Sequence, residues 1–305
     1  LLHANGQSLD ASWGKNEYKG KPWVENISKP NIISEGLNGR HLSIWASHGR
    51  YFDIGKQLWK WQRPNLFGTT EDLFTQTIVI PYLFPMLENA GAVVVSPRER
   101  DWQKNEIIVD NDNDKTFYAE TNDKRKWENF SGTGFASHEG TYGDGENPFQ
   151  AGTARQIKSI KRQSRISYAS YQPYFPEDGF YAVYVSYKTV KRSVERAEYI
   201  VYHKGQETHF HVNQKMGGGT WVYLGTFEFD RGCNIYNRVL VTNHSKKRGI
   251  VTADAVRFGG GMGNIARGGG TSGFPRTLEG ARYFTQWAGA PRNIVSKSNG
   301  TNDYN

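Results

Sequence analysis

The chain has 305 residues, a formal net charge of +8 and a single cysteine, Cys233. This length is enough for two domains, each with its own core, whereas one cysteine excludes an intrachain disulfide and a thiolate-rich metal site. The lysines and arginines are scattered and match no nucleic-acid-binding motif, so the positive charge favours anionic polymers such as polysaccharide over nucleic acid.

Residues 1–38 are polar and interrupted by glycine and proline, which predicts an extended N-terminal arm. The opening LLHANGQSL is typical of a chain that has already been trimmed, and no apolar run reaches the length of a membrane span. The many Trp, Tyr, Asn and Gly residues suit a sugar-facing protein, although aromatic rings serve equally well in a core. We therefore expect an extracytoplasmic protein, in the periplasm, at the cell surface or secreted.

A strand, a helix and a second strand are predicted in the segment that follows the arm. The apolar runs Leu42–Ala46 and Ala92–Ser96 have the length and composition of buried strands. Between them, Thr70 precedes Glu71, as at a helix start with acids in its first turn. We expect the two strands to be parallel, with functional groups beyond their carboxyl ends.

Two prolines and a glycine shape the predicted helix. Pro81 and Pro85 must bend or shorten it, because proline lacks the backbone donor that a helix interior needs. Gly91 then ends the helix as a C-cap. The predicted helix is therefore interrupted and not straight.

His48 follows the first predicted strand, and Glu71 opens the helix. Imidazole and carboxylate are common zinc ligands, but catalytic zinc needs three such ligands and an open position for water. The alternative is that Glu71 only complements the helix dipole and that His48 only caps a strand. Two ligands do not complete a site, so the spacing alone leaves both interpretations open.

The order SHGRY, TTEDLFTQ and LENAGAVVVSPRERD resembles the opening of the zinc-dependent N-acetylmuramoyl-L-alanine amidases of the type 3 catalytic fold. In that family a His after the first strand and a Glu opening the next helix bind the metal, so the resemblance implies His48 and Glu71 as Zn²⁺ ligands. The family's Gly-His-Gly-Gly is here Ser47-His48-Gly49-Arg50. Its third His ligand and its catalytic Glu have no match, so either they follow Asn305 or the site is degenerate, and the catalytic residue is unknown.

Five residues near this pair are candidates for contacting a substrate. Tyr51, Trp59 and Trp61 lie in a long aromatic connection, where they could stack on a sugar ring or pin the loop. Arg50 stands where the resemblance expects glycine. Arg98 follows the second strand and could bind a substrate carboxylate bidentately, or pair with a neighbouring acid.

Residues 121–153 are polar and Gly-rich without sustained periodicity, which predicts a linker with loops. Within this linker His138 and Glu139 could both reach a metal ion. Nothing in the sequence enforces that arrangement, and a solvated loop pair is the alternative.

From residue 154 to residue 261 short strands alternate with turns, which predicts an antiparallel β-sandwich. The predicted strands are Gly179–Tyr187, Ala197–His203, Glu207–Val212, Thr220–Phe229, Arg238–Asn243 and Gly249–Phe258. The second and third form a hairpin about Lys204-Gly205, which the fourth continues. His209 and His211 share one strand face and could chelate a metal, although a solvent-facing structural role is preferred. We interpret Trp221 as a core residue and Asp254 as a fold determinant.

The phrases YQPYFPEDGFYAVYVSY, AEYIVYHKG, VNQKMGGGTWVYLGTFEF and VTADAVRF resemble the golvesin C-terminal-like domain of bacterial proteins often labelled xanthan lyase. The resemblance implies a jelly-roll-like β-sandwich that binds carbohydrate or supports adhesion. It carries no implication of lyase chemistry for this chain.

After a Gly-dense stretch, Leu278, Ala281, Phe284 and Ala288 recur at helical spacing, and Gly289 ends the predicted helix. This segment resembles a part of the amidase-like domain, so the sandwich is expected to be inserted into that domain.

The predicted fold class is α/β plus all-β, a βαβ amidase-like sheet domain interrupted by an antiparallel β-sandwich. We assign residues 39–120 and 262–305 to the α/β domain, incomplete at its C-terminus, 121–153 to the linker and 154–261 to the sandwich.

The functional hypothesis is a zinc-dependent peptidoglycan amidase whose sandwich holds glycan, with zinc polarising the scissile carbonyl and activating water. The alternative is a non-catalytic extracellular protein that binds polysaccharide or mediates adhesion, with the α/β part as a relic. The order of His48 and Glu71 favours the enzyme, whereas Arg50 and the missing third ligand favour the alternative.

Overall fold

The structure is a computed structural model that describes residue 18 and residues 20–31, 33–112 and 117–295. The helices are α1 (Glu71–Ile78), α2 (Phe84–Asn89) and α3 (Ala281–Trp287). The strands, in chain order, are β1 (Val24–Asn26), β2 (His41–Ser43), β3 (Arg50–Asp53), β4 (Leu58–Trp61), β5 (Asn65–Leu66), β6 (Thr69–Thr70), β7 (Val93–Val95), β8 (Ile107–Asp110), β9 (Tyr118–Glu120), β10 (Glu128–Asn129), β11 (Arg155–Lys158), β12 (Tyr168–Tyr171), β13 (Gly179–Val185), β14 (Ala197–His203), β15 (Gln206–Val212), β16 (Val222–Phe229), β17 (Arg238–Thr242), β18 (Ile250–Ala253) and β19 (Ala255–Phe258). None of the helices in this part of the chain is long and apolar enough to cross a bilayer.

The predicted strand–helix–strand unit is confirmed. Strands β2 and β7 pair in parallel, with His41 opposite Val93. The side chain of Thr70 accepts a hydrogen bond from the Asp72 amide at 3.2 Å, which caps α1. A π-helical turn, Val79–Leu83, separates α1 from α2 and contains Pro81. The predicted interruption is therefore present, because proline cannot donate to the helical ladder.

The βαβ unit is small. Its sheet has only two strands among the described residues, and its core consists of Phe84, Ala92 and Val94 with partly buried neighbours. Strands β3 to β6 form two antiparallel hairpins beside it and do not extend the sheet. The chain is thus mostly β with antiparallel sheets, and a full amidase-type α/β domain is not shown.

Two larger sheets form the main body of the structure. One has six strands in the order β1-β15-β14-β17-β12-β9, and the other has four in the order β16-β13-β19-β8. Side chains of both sheets share one core, exemplified by Tyr199 and Val241 from the first and by Val183 and Val256 from the second. Alternate residues of a strand face opposite sides, so each sheet has one face in this core.

The first five strands predicted between residues 179 and 258 are confirmed, but the last one and one pairing differ. The predicted strand Gly249–Phe258 breaks at Asp254 into β18, which pairs with β11, and β19, which pairs with β13 and β8. Strands β14 and β15 form the expected hairpin, and Lys204 and Gly205 at its turn have φ of 48° and 78°. Strand β16 does not continue this hairpin but pairs with β13 in the four-stranded sheet. The connection 213–221 is long enough to cross between sheets, so adjacency in sequence was a poor guide to pairing.

Segments outside the predicted sandwich also contribute strands to its sheets. Strand β1, from the predicted arm, pairs with β15, while β8 and β9 pair with β19 and β12. The predicted linker supplies β10, which pairs with β11. The sheets therefore cross the predicted boundaries at residues 38, 120 and 153, because strands of two to four residues carry too short a pattern to recognise.

A second core covers the outer face of the four-stranded sheet. Ala182 and Tyr184 of β13 lie in it, together with Phe284 and Trp287 of α3. The predicted C-terminal helix is thus confirmed, and Gly289 follows it with φ of 83°. This second core joins the C-terminal segment, through α3, to the four-stranded sheet.

Candidate functional site

The guanidinium of Arg63 lies between the two predicted metal ligands. Arg63 Nη2 is 3.1 Å from His48 Nε2, and Arg63 Nε is 3.7 Å from Glu71 Oε2. The backbone around Arg63 is held by Asp72, whose Oδ2 accepts hydrogen bonds from the amides of Gln62 at 2.7 Å and Arg63 at 3.2 Å. His48 and Glu71 are thus brought together, but on either side of a cation.

This arrangement does not fit a zinc ion. Arginine is always protonated in proteins, so an ion between His48 and Glu71 would meet a like charge. In the part of the chain that the structure describes, no three His, Cys, Asp or Glu side chains are grouped to hold a metal. Zinc binding by His48 and Glu71 stays a prediction, and the third ligand stays unassigned.

Arg98 is a structural link and is not open to a substrate. Its side chain is 2% exposed, and its Nε and Nη2 donate to the main-chain oxygens of Glu279 and Thr277, each at 3.0 Å. Nη1 donates to the main-chain oxygens of Ala46 and His48. Burial lowers the pKa of Arg98 to about 10. Both sequence-based roles, a substrate contact and an ion pair with Glu99 or Asp101, are therefore replaced by hydrogen bonds to carbonyls.

Glu99, the neighbour of Arg98, pairs instead with Arg257 of β19. The two side chains are fully buried, with Arg257 Nη1 2.8 Å from Glu99 Oε2. Tyr184 donates its hydroxyl to Glu99, and the Arg257 guanidinium lies 3.9 Å from the Tyr184 ring centroid. Burial is the largest single influence and lowers the pKa of Arg257, but the neighbouring acidic groups, Glu99 first among them, together outweigh burial and raise the pKa. This buried pair fixes the segment after β7 to the four-stranded sheet.

The four other residues predicted to contact a substrate pack against other side chains of the protein. Tyr51 is 2% exposed and lies in the second core. The guanidinium of Arg50 lies 4.3 Å from the Trp61 ring centroid and 3.6 Å from that of Phe274, and burial lowers its pKa. The half-buried Trp59 ring packs 4.7 Å from that of Tyr283. These contacts favour the loop-pinning role that the sequence left open.

The three other histidines considered as metal ligands contact other groups of the protein. His138 Nε2 lies 2.7 Å from Glu146 Oε1, while His138 Nδ1 contacts the main-chain oxygen of Glu139 and not its carboxylate. These two contacts raise the pKa of His138. His209 and His211 do share a face of β15, where each lies near a glutamate. The structural role preferred for this pair agrees with these contacts.

Asp254 is a fold determinant, as expected. Its carboxylate is buried, and it accepts hydrogen bonds from the Phe135 amide at 2.9 Å and the Ser186 hydroxyl at 2.8 Å. Burial raises the pKa of Asp254 to about 6. Trp221, also predicted to be a core residue, is 7% exposed and lies in the second core.

A different surface of the sandwich carries exposed aromatic rings that the sequence analysis did not single out. Strand pairing places the start of β8, the start of β13 and the ends of β16 and β19 at the same end of the four-stranded sheet. The segments at this end are 101–106, 172–180 and 230–237, and we call them the aromatic end. The exposed fractions of its rings are 43% for Trp102, 52% for Tyr174, 63% for Phe180 and 60% for Tyr236.

Hydrogen bonds tie the segments of the aromatic end together. Phe175 and Gly232 exchange two backbone hydrogen bonds, of 3.0 Å and 2.8 Å. Asn105 Nδ2 donates to Glu177 Oε1 at 2.7 Å, and the Arg231 amide donates to Asp178 Oδ1 at 2.5 Å. These contacts hold the three segments that carry the rings against one another.

The sequence did contain a signal for this surface. Trp102, Tyr174 and Tyr236 lie beside Asp, Pro or Asn in turn-like stretches and outside the alternating strand patterns that bury such rings. This position makes them candidates for surface residues, but it does not separate them from Phe175, which lies in the same stretch as Tyr174 and is buried.

Comparison with protein families shows that the model of the Golvesin C-terminal domain matches residues 131–260. Among solved structures, a Paenibacillus xanthan lyase is 22% identical over 51% of this chain and 13% of its own, with a TM-score of 0.37. The C-terminal CBM6 of LamC, a marine laminarinase from Zobellia galactanivorans, is 12% identical over 51% of this chain and 99% of its own, with a TM-score of 0.30. The curated proteins contain no match. The golvesin resemblance predicted for residues 154–261 is thereby confirmed for that part of the chain, and it begins earlier, within the predicted linker.

Proposed function

We propose that this chain binds a polysaccharide outside the cytoplasm, without acting on it, through the aromatic end. The observation that carries the proposal is the exposure of four large rings in three hydrogen-bonded segments at one end of the sandwich. Exposed apolar side chains that cluster on a soluble protein mark interaction sites.

Sugar rings are suitable partners for such a surface. A pyranose ring has an apolar face of C–H groups and a rim of hydroxyls, so it packs on an aromatic face while the hydroxyls find polar partners. Trp and Tyr also combine an apolar body with a hydrogen-bonding tip. Asn105, Glu177 and Asp178 supply amide and carboxylate groups in the same segments as the rings. Because the segments are tied together, binding loses little conformational entropy.

The zinc-dependent peptidoglycan amidase is the second candidate. Its support is the convergence of His48 and Glu71 on one side chain, in the order expected for that family. Arg63 occupies the space between them, so we derive no catalytic step there. The non-catalytic function is preferred because it needs no rearrangement of the described residues.

A matched pair of tyrosine variants tests the proposal. Tyr236, at the aromatic end, is 60% exposed, and Tyr82, beside α1, is 61% exposed. We expect Tyr236→Ala to lower retention on a polysaccharide that binds the parent by about tenfold, as loss of a ring contact of roughly 1.4 kcal/mol predicts. Tyr82→Ala should leave retention unchanged.

The measurement is affinity electrophoresis or pull-down of the full chain against peptidoglycan, xanthan, β-glucans and pectins, with thermal unfolding to show that both variants fold. Equal retention of the parent and the Tyr236→Ala and Trp102→Ala variants on every polymer would refute the proposal. So would a parent that none of the polymers retains.

A further inference from the structure

Five apolar side chains form an exposed stripe along the helical segment between β6 and β7. We call it the apolar stripe, and it consists of Phe74, Ile78, Tyr82, Leu83 and Met86. Their exposed fractions are, in the same order, 56%, 47%, 61%, 36% and 66%. Residues four positions apart lie on the same side of a helix. The members other than Leu83 are spaced in this way, so they follow one line along α1, the π-helical turn and α2.

The π-helical turn widens the apolar stripe in its middle. A π-helical turn closes hydrogen bonds between residues five positions apart, and here the Phe84 amide donates to the Val79 oxygen. Leu83 follows Ile78 by five residues, so this turn brings it to the same side as Tyr82. The exposure of both side chains agrees with that placement.

The opposite side of this helical segment is already covered. Val79, Ile80 and Leu87 pack against the small core that contains Phe84 and Val94. The segment therefore carries apolar side chains on both sides, which is the pattern of a helix that is buried all round. The two-stranded sheet of β2 and β7 covers one of these sides, and the apolar stripe is the other.

The apolar stripe is large enough for a specific protein interface. Full burial of one aromatic side chain removes about 150–250 Å² from water, so the exposed fractions of the five residues correspond to an area on the order of 600 Å². That area is at the upper end of the apolar patches found on monomeric proteins. Two copies that pack through the stripe would bury on the order of 1,200 Å², at the lower end of specific interfaces. An area of this size predicts a weak and reversible dimer.

The charge distribution around the stripe fits a second copy of the same chain. Residues 73–87 contain no charged side chain. At the two ends of this stretch, Glu71 lies 3.7 Å from Arg63 and Glu88 lies 2.7 Å from Arg100. A two-fold axis places each surface opposite itself, so a charged patch would repel its own copy. The apolar stripe meets no like charge in this way, although the chain carries a net charge of +8.

We infer that the chain forms a two-fold symmetric dimer through the apolar stripe, with the helical segments of the two copies packed face to face. The composition of the stripe agrees with this role, because Tyr, Phe and Met are enriched in the buried cores of protein interfaces. The inference does not depend on the proposed function. The stripe and the aromatic end consist of different segments of the chain.

Sedimentation velocity of the full chain over a range of concentrations tests the inference. We expect the parent to change from monomer to dimer with a dissociation constant on the order of 10 µM. Tyr82→Ala should weaken the dimer by about 100-fold, because a two-fold interface contains this ring twice and each loss weakens association by about tenfold. Met86→Gln, which keeps the length of the side chain but is polar, should weaken the dimer as well.

Tyr236→Ala is the matched control, because Tyr236 lies at the aromatic end and is exposed to nearly the same extent as Tyr82. We expect this variant to dimerise as the parent does, and thermal unfolding will show that all three variants fold. Equal weakening by Tyr236→Ala would overturn the inference. Added salt should strengthen the parent dimer, because it screens the repulsion between two positively charged copies. A dimer that salt weakens would contradict a neutral apolar contact.

The remaining outcomes assign the stripe to another partner or another symmetry. A parent that stays monomeric at about 200 µM, well above the expected dissociation constant, overturns the inference. If that monomer sediments with phosphatidylcholine vesicles and Tyr82→Ala does not, the stripe contacts a lipid surface instead. Species that grow beyond the dimer with concentration overturn the two-fold arrangement.

The two proposals fail separately. Loss of the dimer leaves the proposed function in place, because that function is judged by the retention of Tyr236→Ala on polysaccharide. The retention measurements use the chain well below about 10 µM, where it is a monomer. Tyr82→Ala therefore stays a valid control for retention while it disrupts the dimer.

Discussion

Arg98 Nε donates to the main-chain oxygen of Glu279 at 3.0 Å, which joins the segment after β7 to the segment before α3. The same guanidinium also donates to carbonyls at Ala46, His48 and Thr277. A Cβ atom at Gly49 would lie 2.7 Å from Arg98 Nη2, so the loop can approach only because this residue is glycine. One buried side chain therefore satisfies carbonyls of two distant parts of the chain.

Replacement of Arg98 should destabilise the fold. Arg98→Met keeps much of the apolar stem but leaves several buried carbonyl oxygens without a donor. We expect the free energy of unfolding to fall by about 3 kcal/mol, measured by urea unfolding. Arg192→Gln, at an exposed arginine, is the control and should change it by less than about 0.5 kcal/mol. An unchanged urea midpoint for Arg98→Met would show that these hydrogen bonds make no net contribution to the free energy of unfolding.

Sequence reasoning succeeded where a repeating pattern was long enough. Burial alternates along most of β14 and at the end of β15, and a two-residue turn joins the two strands, so both strands and their pairing were predictable. The capped start of α1 was predictable from Thr70 because a side-chain oxygen is needed for the first free amides.

Prediction from the sequence failed where the position of a residue depends on a single contact outside its own local pattern. Nothing in the local sequence shows that Asp72 holds the backbone of Arg63, and through it the guanidinium between His48 and Glu71. Phe135 and Phe149 lie in a Gly-rich stretch without period, yet both are core residues. Their burial depends on α3, far along the chain.

Glu279 should make stability depend on pH. Its carboxyl group is 1% exposed, it accepts a hydrogen bond from Ser272, and burial raises its pKa to about 7. The folded state therefore holds this proton more tightly than the unfolded chain, in which the pKa is about 4.3. Stability from this group is fully present below about pH 4 and is lost as pH rises to about 7.

The corresponding measurement is the free energy of unfolding of the parent and Glu279→Gln between pH 4 and pH 8. We expect the parent to lose up to about 3 kcal/mol relative to the variant over this range. Glutamine keeps the size of the side chain and its carbonyl oxygen but cannot ionise. A constant difference between the two proteins across the range would show that Glu279 does not titrate there.

Gly134 tests whether the predicted linker is an ordered part of the fold. The Gly134 amide donates to the Gly152 oxygen at 2.7 Å, and a Cβ atom at Gly134 would lie 1.8 Å from the Thr153 oxygen. Gly134→Ala must separate the two backbones, and we expect a loss of about 1 to 3 kcal/mol in the free energy of unfolding. Gly143→Ala should be nearly neutral, because the nearest atom to its Cβ is a Glu146 oxygen at 3.8 Å. Equal losses of stability in the two variants would show that the loop around Gly134 moves to accommodate the added atom.

The predicted zinc site can be tested directly through Arg63. Because the Arg63 guanidinium contacts both His48 and Glu71, we expect the parent, purified with saturating zinc and then dialysed, to carry well under one zinc per chain. The His48→Ala and Glu71→Ala variants should carry the same amount, measured by atomic emission. Arg63→Ala removes the cation and is the informative comparison: zinc bound there, and lost again when His48 is also replaced, would show that the two ligands are competent but blocked. One zinc per parent chain that disappears in both His48→Ala and Glu71→Ala would contradict the arrangement described here, and would favour the amidase over the binding protein.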